Sequence, residues 1–161
     1  MYTSGASLGH GIAMQDCVAP RGGGVSVLPD ANATLRFATI SGCATTPSHG
    51  SGVGGGVDVS SGGWLSVKAT SISQCSATHF GGAIHVSGRA QLATNTTITQ
   101  NTAGVGGGGA AVIGPAASLT VSQTVFLRNV AEQYGGAISA ANSAELSVDA
   151  TILEDNTAAS L

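Results

Sequence analysis

A glycine-rich step recurs five times along this chain, and each time it leads into a short apolar stretch. The openings are Gly22-Gly23-Gly24-Val25, Gly54-Gly55-Gly56-Val57, Gly81-Gly82-Ala83-Ile84, Gly107-Gly108-Gly109-Ala110 and Gly135-Gly136-Ala137-Ile138. Some twenty residues later each copy closes on Cys or Asn: Cys43, Cys75, Asn101, Asn129 and Asn156, with Cys17 closing a partial copy before the first. The closing residues are spaced 26, 32, 26, 28 and 27 residues apart. A period of this size marks an array whose units cannot bury their own apolar faces and must stack.

Within a copy the apolar residues alternate. The third copy places Ile84 and Val86 around His85, and then runs from Ala90 to Thr94 and from Thr96 to Asn101. The second gives Val57 and Val59, Leu65 and Val67, then Thr70 and Ile72. The fifth gives Ile138 and Ala140, Leu146 and Val148, then Thr151 and Leu153. A period of two is that of a strand with one buried face. No i, i+3, i+4, i+7 pattern persists for ten residues, so the chain reads as all-β with three short strands per copy. Three strands per copy in an antiparallel meander would alternate the direction of successive copies. Coiling the chain so that each copy lies on the last keeps equivalent residues equivalent, with parallel pairing at about 4.8 Å. The predicted fold is a single-stranded parallel β-helix of about five rungs, with Ile84 between Val57 and Ala110 and Ile98 between Ile72 and Phe126. Residues 1–161 form one array, with irregular rungs over 9–53 and regular rungs over 54–161.

Composition agrees with this. Charged residues make up 8% of the chain and aromatics 4%, while 42% is hydrophobic, so the core must come from small and β-branched side chains. The net charge is −3 and no basic stripe carries interleaved aromatics, which argues against a nucleic-acid partner. No run of 18 apolar residues provides a transmembrane helix. Met1 to His10 lack the basic start and apolar stretch of a signal peptide, so either the chain is not secreted or its true N-terminus lies upstream. Gly9 to Cys17 reads as the last third of a rung, and the fifth copy stops at Leu161 without a capping element. These features predict a fragment of a longer precursor, whose end rungs, with Met14, Ile138 and Leu153 near them, favour end-to-end self-association.

The closing column is a structural ladder in which stacked amides bond backbone and one another. Its three cysteines, Cys17, Cys43 and Cys75, allow three readings: small buried side chains in the Asn slot, a disulfide between neighbouring rungs, or a soft metal site, for which the column lacks a second ligand type. No cofactor is expected. An insertion, Thr45 to Val53, follows Cys43 and lengthens a loop without moving the column.

A hydrolase or lyase would need acids, or an acid with a base, on one outward face. The outward column of the first strand holds Ser26, Asp58, His85, Ala111 and Ser139; Asp58 and His85 are the best catalytic pair available. No second acid and no arginine shares that column, so the pair reads as a surface contact and the chain as a non-enzyme. The outward column of the second strand reads Trp64, Gln91, Ser118 and Glu145. Trp64, the single tryptophan, either stacks on a sugar ring or covers the corner at Gly62 and Gly63. A threonine column at Thr70, Thr96, Thr124 and Thr151 invites an ice-binding reading, but it shares parity with the inward Ile/Phe column. The glycine runs precede neither Lys-Ser/Thr nor a helix, which excludes a phosphate loop.

The Gly-Gly-Ala-Ile units at 81–84 and 135–138, and Phe126 to Asn129 with its variant Ile98 to Asn101, resemble the repeat motifs of chlamydial polymorphic outer-membrane proteins. Comparable repeats occur in large surface proteins of algae and protists. The resemblance covers residues 54–156 well and 9–53 poorly, and this chain departs from it by placing Cys in the first three closings. It implies a right-handed parallel β-helix of the pectin-lyase-like type, exported and displayed at a cell surface, in the outer membrane if bacterial. It further implies adhesion, with a host-cell or extracellular glycan or protein as partner. The runner-up is a carbohydrate-active enzyme, a polysaccharide lyase or hydrolase, or its inactive remnant, since this fold hosts such chemistry.

Overall fold

The computed structural model describes residues 2–3, 11–46 and 52–159. The expected start of the first rung at Gly9, the middle of the insertion and the end at Leu161 lie outside them. Every strand pairs in parallel with its counterpart in the next copy, and no helix occurs among the described residues. The result is a β-solenoid of about five turns.

Each turn visits four sheets. Sheet A contains Val25–Val27, Val57–Val59, Ile84–Val86, Ala110–Ile113 and Ile138–Ala141, preceded by Tyr2–Thr3. Sheet B follows with Asn32–Arg36, Trp64–Lys68, Arg89–Ala93, Ser118–Ser122 and Glu145–Asp149. Sheet C stacks Ala13–Gln15, Thr39–Ser41, Ser71–Ser73, Thr96–Thr99, Thr124–Leu127 and Ile152–Glu154. Sheets A, B and C hold the three strands legible in the repeat. Sheet D adds a two-residue strand after each closing residue, from Val18–Ala19 and Ala44–Thr45 to Thr157–Ala158. Two residues of Ser, Thr, Ala or Val are too short to show a period.

The register agrees with the apolar ladders. Ile84 pairs with Val57 and Ala110, and Ile98 with Ile72 and Phe126. Met14, Ile40 and Ile72 continue that column toward the N-terminus, so the described part of the irregular region keeps the same frame. The insertion leaves the frame intact on both sides: Ala44 pairs with Ser76 and Arg21 with Val53. Inward residues of the third turn, Ile84, Val86, Ala90, Leu92 and Ile98, are all buried. Phe126, the largest of the fully buried side chains, fits because its facing slot is Gly109, where a Cβ would lie 2.6 Å from the ring. In the last turn the same inward slots are open: Leu146, Val148 and Leu153 are exposed, and Ile138 is half-buried. Met14, in the first turn, is also half-buried.

The corners repeat as faithfully as the strands. The residue before each closing position (Asp16, Gly42, Gln74, Gln100, Arg128 and Asp155) has a φ between 52° and 63°. A second left-handed column, at Phe37, Ala69, Asn95, Gln123 and Ala150, turns sheet B into sheet C. Left-handed backbone costs a non-glycine residue about 1–2 kcal/mol, and here the stacked register imposes it turn after turn. Thr70, Thr96 and Thr124 lie buried just after this corner. Their hydroxyls donate to the carbonyls of Lys68, Ala93 and Ser122 at 2.9, 2.7 and 3.0 Å. This column is a corner fastening, with no ranked hydroxyl face toward water.

Candidate functional site

The acid–imidazole pair is not on an exposed face. Ser26, Asp58, His85 and Ala111 are in register in sheet A as expected, yet Asp58 is 0% exposed and His85 5%. Part of the cover comes from the chain just before the glycine step, where Arg21 reaches the Asp58 carboxylate. Isolated parallel bridges join Arg21 to Val53 and Phe80 through Gly106 to Tyr134, and the Gly54 N–H donates to Phe80 O at 2.9 Å between the two sets. The first glycine of each step, with φ from 54° to 69°, turns the chain back against the carbonyl of the residue three positions on. A Cβ there would overlap that carbonyl, so the position requires glycine.

This fold-back brings in an arginine that the column itself lacks. From the preceding turn, Arg21 Nε donates to Asp58 Oδ2 at 3.0 Å and a terminal guanidinium nitrogen donates to Oδ1 at 3.3 Å. His85 Nδ1 lies 2.8 Å from Oδ1. The arginine contact is two-pronged, and the imidazole meets the same carboxylate through Nδ1. The other ring nitrogen, Nε2, has no hydrogen-bond partner among the described residues. Beside His85 in register stands Ala111, so the next turn offers neither a second acid nor a nucleophile. The Arg21–Asp58–His85 chain spans three turns and fastens them together.

Removing either partner of the Arg21–Asp58 ion pair has unequal cost. Arg21→Gln strips the counter-ion from a fully buried carboxylate, while Asp58→Asn leaves only a half-exposed guanidinium that water can solvate. Arg21→Gln is expected to destabilise by roughly 2–3 kcal/mol and Asp58→Asn by about 1. Paired urea titrations check the order; equal losses would contradict it.

The ladder is continuous through its asparagines. Asn129 Oδ1 accepts the Asn101 backbone N–H at 3.1 Å and its side-chain amide at 2.9 Å. Asn129 Nδ2 donates to Ile98 O at 2.9 Å and to Asn156 Oδ1 at 2.8 Å. Asn101 makes the same contacts one turn earlier, to Ile72 O and to the Cys75 N–H. The cysteines imitate part of this pattern. Cys75 Sγ donates to Ser73 O at 3.3 Å and approaches Ile40 O at 3.9 Å, the carbonyls equivalent to those met by Asn156 Nδ2. All three thiols are free; Cys43 and Cys75 are buried and Cys17 is half-buried. Among the described residues no group of three or more His, Cys, Asp or Glu side chains could hold a metal.

Burial pushes the Cys75 thiol up from 9.0 to about 12 and raises Cys43 in the same direction. Because the folded value lies above the unfolded one, this contribution to stability is intact below pH 9. It is lost as pH rises from 9 toward 12. In the native protein at pH 8, iodoacetamide is expected to modify Cys17 alone, with Cys43 and Cys75 reacting only after denaturation. Peptide mass spectrometry checks this, and native labelling of Cys75 would contradict it.

The outer side of sheet B differs from the expected column in one member. Trp64 pairs with Asn32 and Arg89, followed by Ser118 and Glu145; Gln91 pairs with Ser66 and Thr120 one slot along. The corner into sheet B spans Ser60–Gly63 in the second turn but only Ser87–Gly88 in the third. A two-residue slip preserves inward–outward parity, so alternation alone does not detect it. Trp64 is 38% exposed and lines a groove of about 440 Å³ with Asn32, Gly63, Gly88 and Arg89.

No protein-family model matches this chain, and neither a curated protein nor a solved structure matches it.

Proposed function

We propose that this chain is a non-catalytic module of a secreted or cell-surface protein, a stiff solenoid segment that serves structure and adhesion through its outer faces. One observation carries the reading. The best acid–base pair is 95% or more buried and is committed to an arginine and to inter-turn fastening, whereas substrate chemistry needs such groups within reach of a reacting atom. The partner class on this reading is an extracellular glycan or protein.

His85 Nε2 is the single feature that favours the runner-up, a polysaccharide lyase or hydrolase, because a carboxylate-oriented imidazole is a general-base arrangement. Incubation with pectin, alginate and comparable polyanions is expected to give no new reducing ends and no unsaturated products. Turnover abolished by His85→Ala or Asp58→Asn would replace the adhesive reading with the enzymatic one.

A further inference from the structure

Sheet C turns toward solvent a face to which the corner threonines do not belong. Burial alternates along its strands, with Ile40, Ile72 and Ile98 inside and the residues on either side of each turned out. Those outward residues form two ranks across three successive turns: Thr39, Ser71 and Thr97 in one, Ser41, Ser73 and Thr99 in the other. The next turn continues the ranks with Val125 and Leu127. No charge stands in either rank between the first strand, Ala13–Gln15, and Glu154 in the last. Arg36 and Lys68 close strands of sheet B, on the other side of the corner. The hydroxyls of Thr70, Thr96 and Thr124 are already bound to carbonyls. None of the six ranked hydroxyls is hydrogen-bonded to another described residue; Cys43 and Cys75 meet Ser41 and Ser73 at their carbonyls.

We propose that this face binds ice, its two hydroxyl ranks taking the place of lattice water. The activity is separate from adhesion and does not depend on what the other faces hold. Within a strand the ranks stand two residues apart, about 6.6 Å, and neighbouring turns stand about 4.8 Å apart. That rectangular mesh is comparable to the oxygen mesh on the prism face of hexagonal ice. The register keeps it regular, because each ranked residue has one partner in the next turn from the first strand of sheet C to the last. A hydroxyl both donates and accepts, so each can occupy the position of a lattice water. The methyls of Thr39, Thr97, Thr99 and Val125 restrict the orientation of the water between them. Nor does any loop stand above the face. The connections that enter and leave sheet C are one or two residues long in every described turn, so a flat crystal can reach all the ranks together.

A second copy of the chain is the other flat occupant such a face could meet. Six strands of three residues cover only on the order of 250 Å², well under the roughly 800 Å² per partner of a stable interface. The ranks also lack the aromatic and arginine anchors that carry protein interfaces. Ice asks less of the surface, since it bonds directly to water that the face already holds.

Ice-affinity partitioning of the whole chain tests this. A dilute solution is frozen slowly onto a cold probe, and protein is measured in the ice and in the remaining liquid. The protein is expected to enter the ice at least tenfold more than an unrelated protein of similar size. It is also expected to open a gap between the melting and freezing temperatures of a single ice crystal. Thr97→Lys, in the middle of the ranks at an outward position, is expected to abolish both effects with its urea midpoint unchanged. Ser73→Lys repeats the test on the second rank if the first variant folds poorly. Thr120→Lys, on the exposed side of sheet B, is expected to leave both effects as they were. Exclusion of the wild-type protein from the ice overturns the proposal, and so does equal uptake of the Thr97→Lys and Thr120→Lys proteins. A sedimenting dimer that Thr97→Lys dissociates, without uptake into ice, would make the face a surface for a second copy instead.

Discussion

Replacing Asn129 with alanine is expected to destabilise the fold by roughly 3–5 kcal/mol, and hydrogen exchange should localise the loss to the turns on either side. Asn129 is 0% exposed and takes part in four contacts through its amide: two accepted from Asn101 and two donated, to Ile98 O and Asn156 Oδ1. Alanine leaves the Asn101 N–H and one of its amide protons buried without an acceptor, and each orphaned group costs about 1–3 kcal/mol. Asn156→Ala should cost less, because that residue is half-buried at the last turn. Urea denaturation of the two variants compares them, and a loss below about 1 kcal/mol for Asn129→Ala would show that the ladder is not a cooperative hydrogen-bond chain.

Gly82→Ala is expected to be at least as damaging, by a different route. A Cβ at this position would overlap the carbonyl of Gly108 in the next turn and lie 2.5 Å from the Thr102 carbonyl oxygen. Both obstacles are backbone, so neither can swing aside as a side chain could. The stack must open locally, breaking the Gly82 N–H to Gly107 O and Gly81 N–H to Gly106 O bonds. The expected cost exceeds about 3 kcal/mol. Ala83→Gly, one position on, serves as the mild comparison at roughly 1 kcal/mol. A soluble Gly82→Ala protein with an unchanged urea midpoint would mean that sheets A and D do not approach each other as closely as described.

The architecture was legible because its causes are local and repeated. Alternating Val, Ile and Leu at matched offsets fix strand parity, and a closing Asn or Cys in every copy fixes register, so the Ile40–Ile72–Ile98–Phe126 column could be read directly. The burial of Asp58 could not. Arg21, which reaches its carboxylate, stands in a stretch before the glycine steps that is held by single bridges rather than by a strand with a pattern. Arg21 escaped notice because its contact crosses from one turn to the next instead of running along a column. The one available signal was its position immediately before a glycine step that must reverse the chain. Arg89, not Gln91, stands in the Trp64 column, because the corner before it is two residues shorter than its neighbour, a difference to which parity is blind.

The corners also decide where this rod can acquire ornament. Between sheets C and D the connection is always a left-handed residue followed by the closing residue. Between B and C it is one or two residues in every turn. The other two edges vary freely: residues 46–56 replace what is elsewhere a step such as 78–83, and the entry to sheet B ranges from Ser87–Gly88 to Ser60–Gly63. Extra loops can therefore project only from the edges that flank sheet A, while the edges flanking sheet C stay smooth. A set of such rods could lie side by side along their smooth edges and still show neighbours a variable fringe. The rigid ladder is the reason that fringe can change in length without shifting the core.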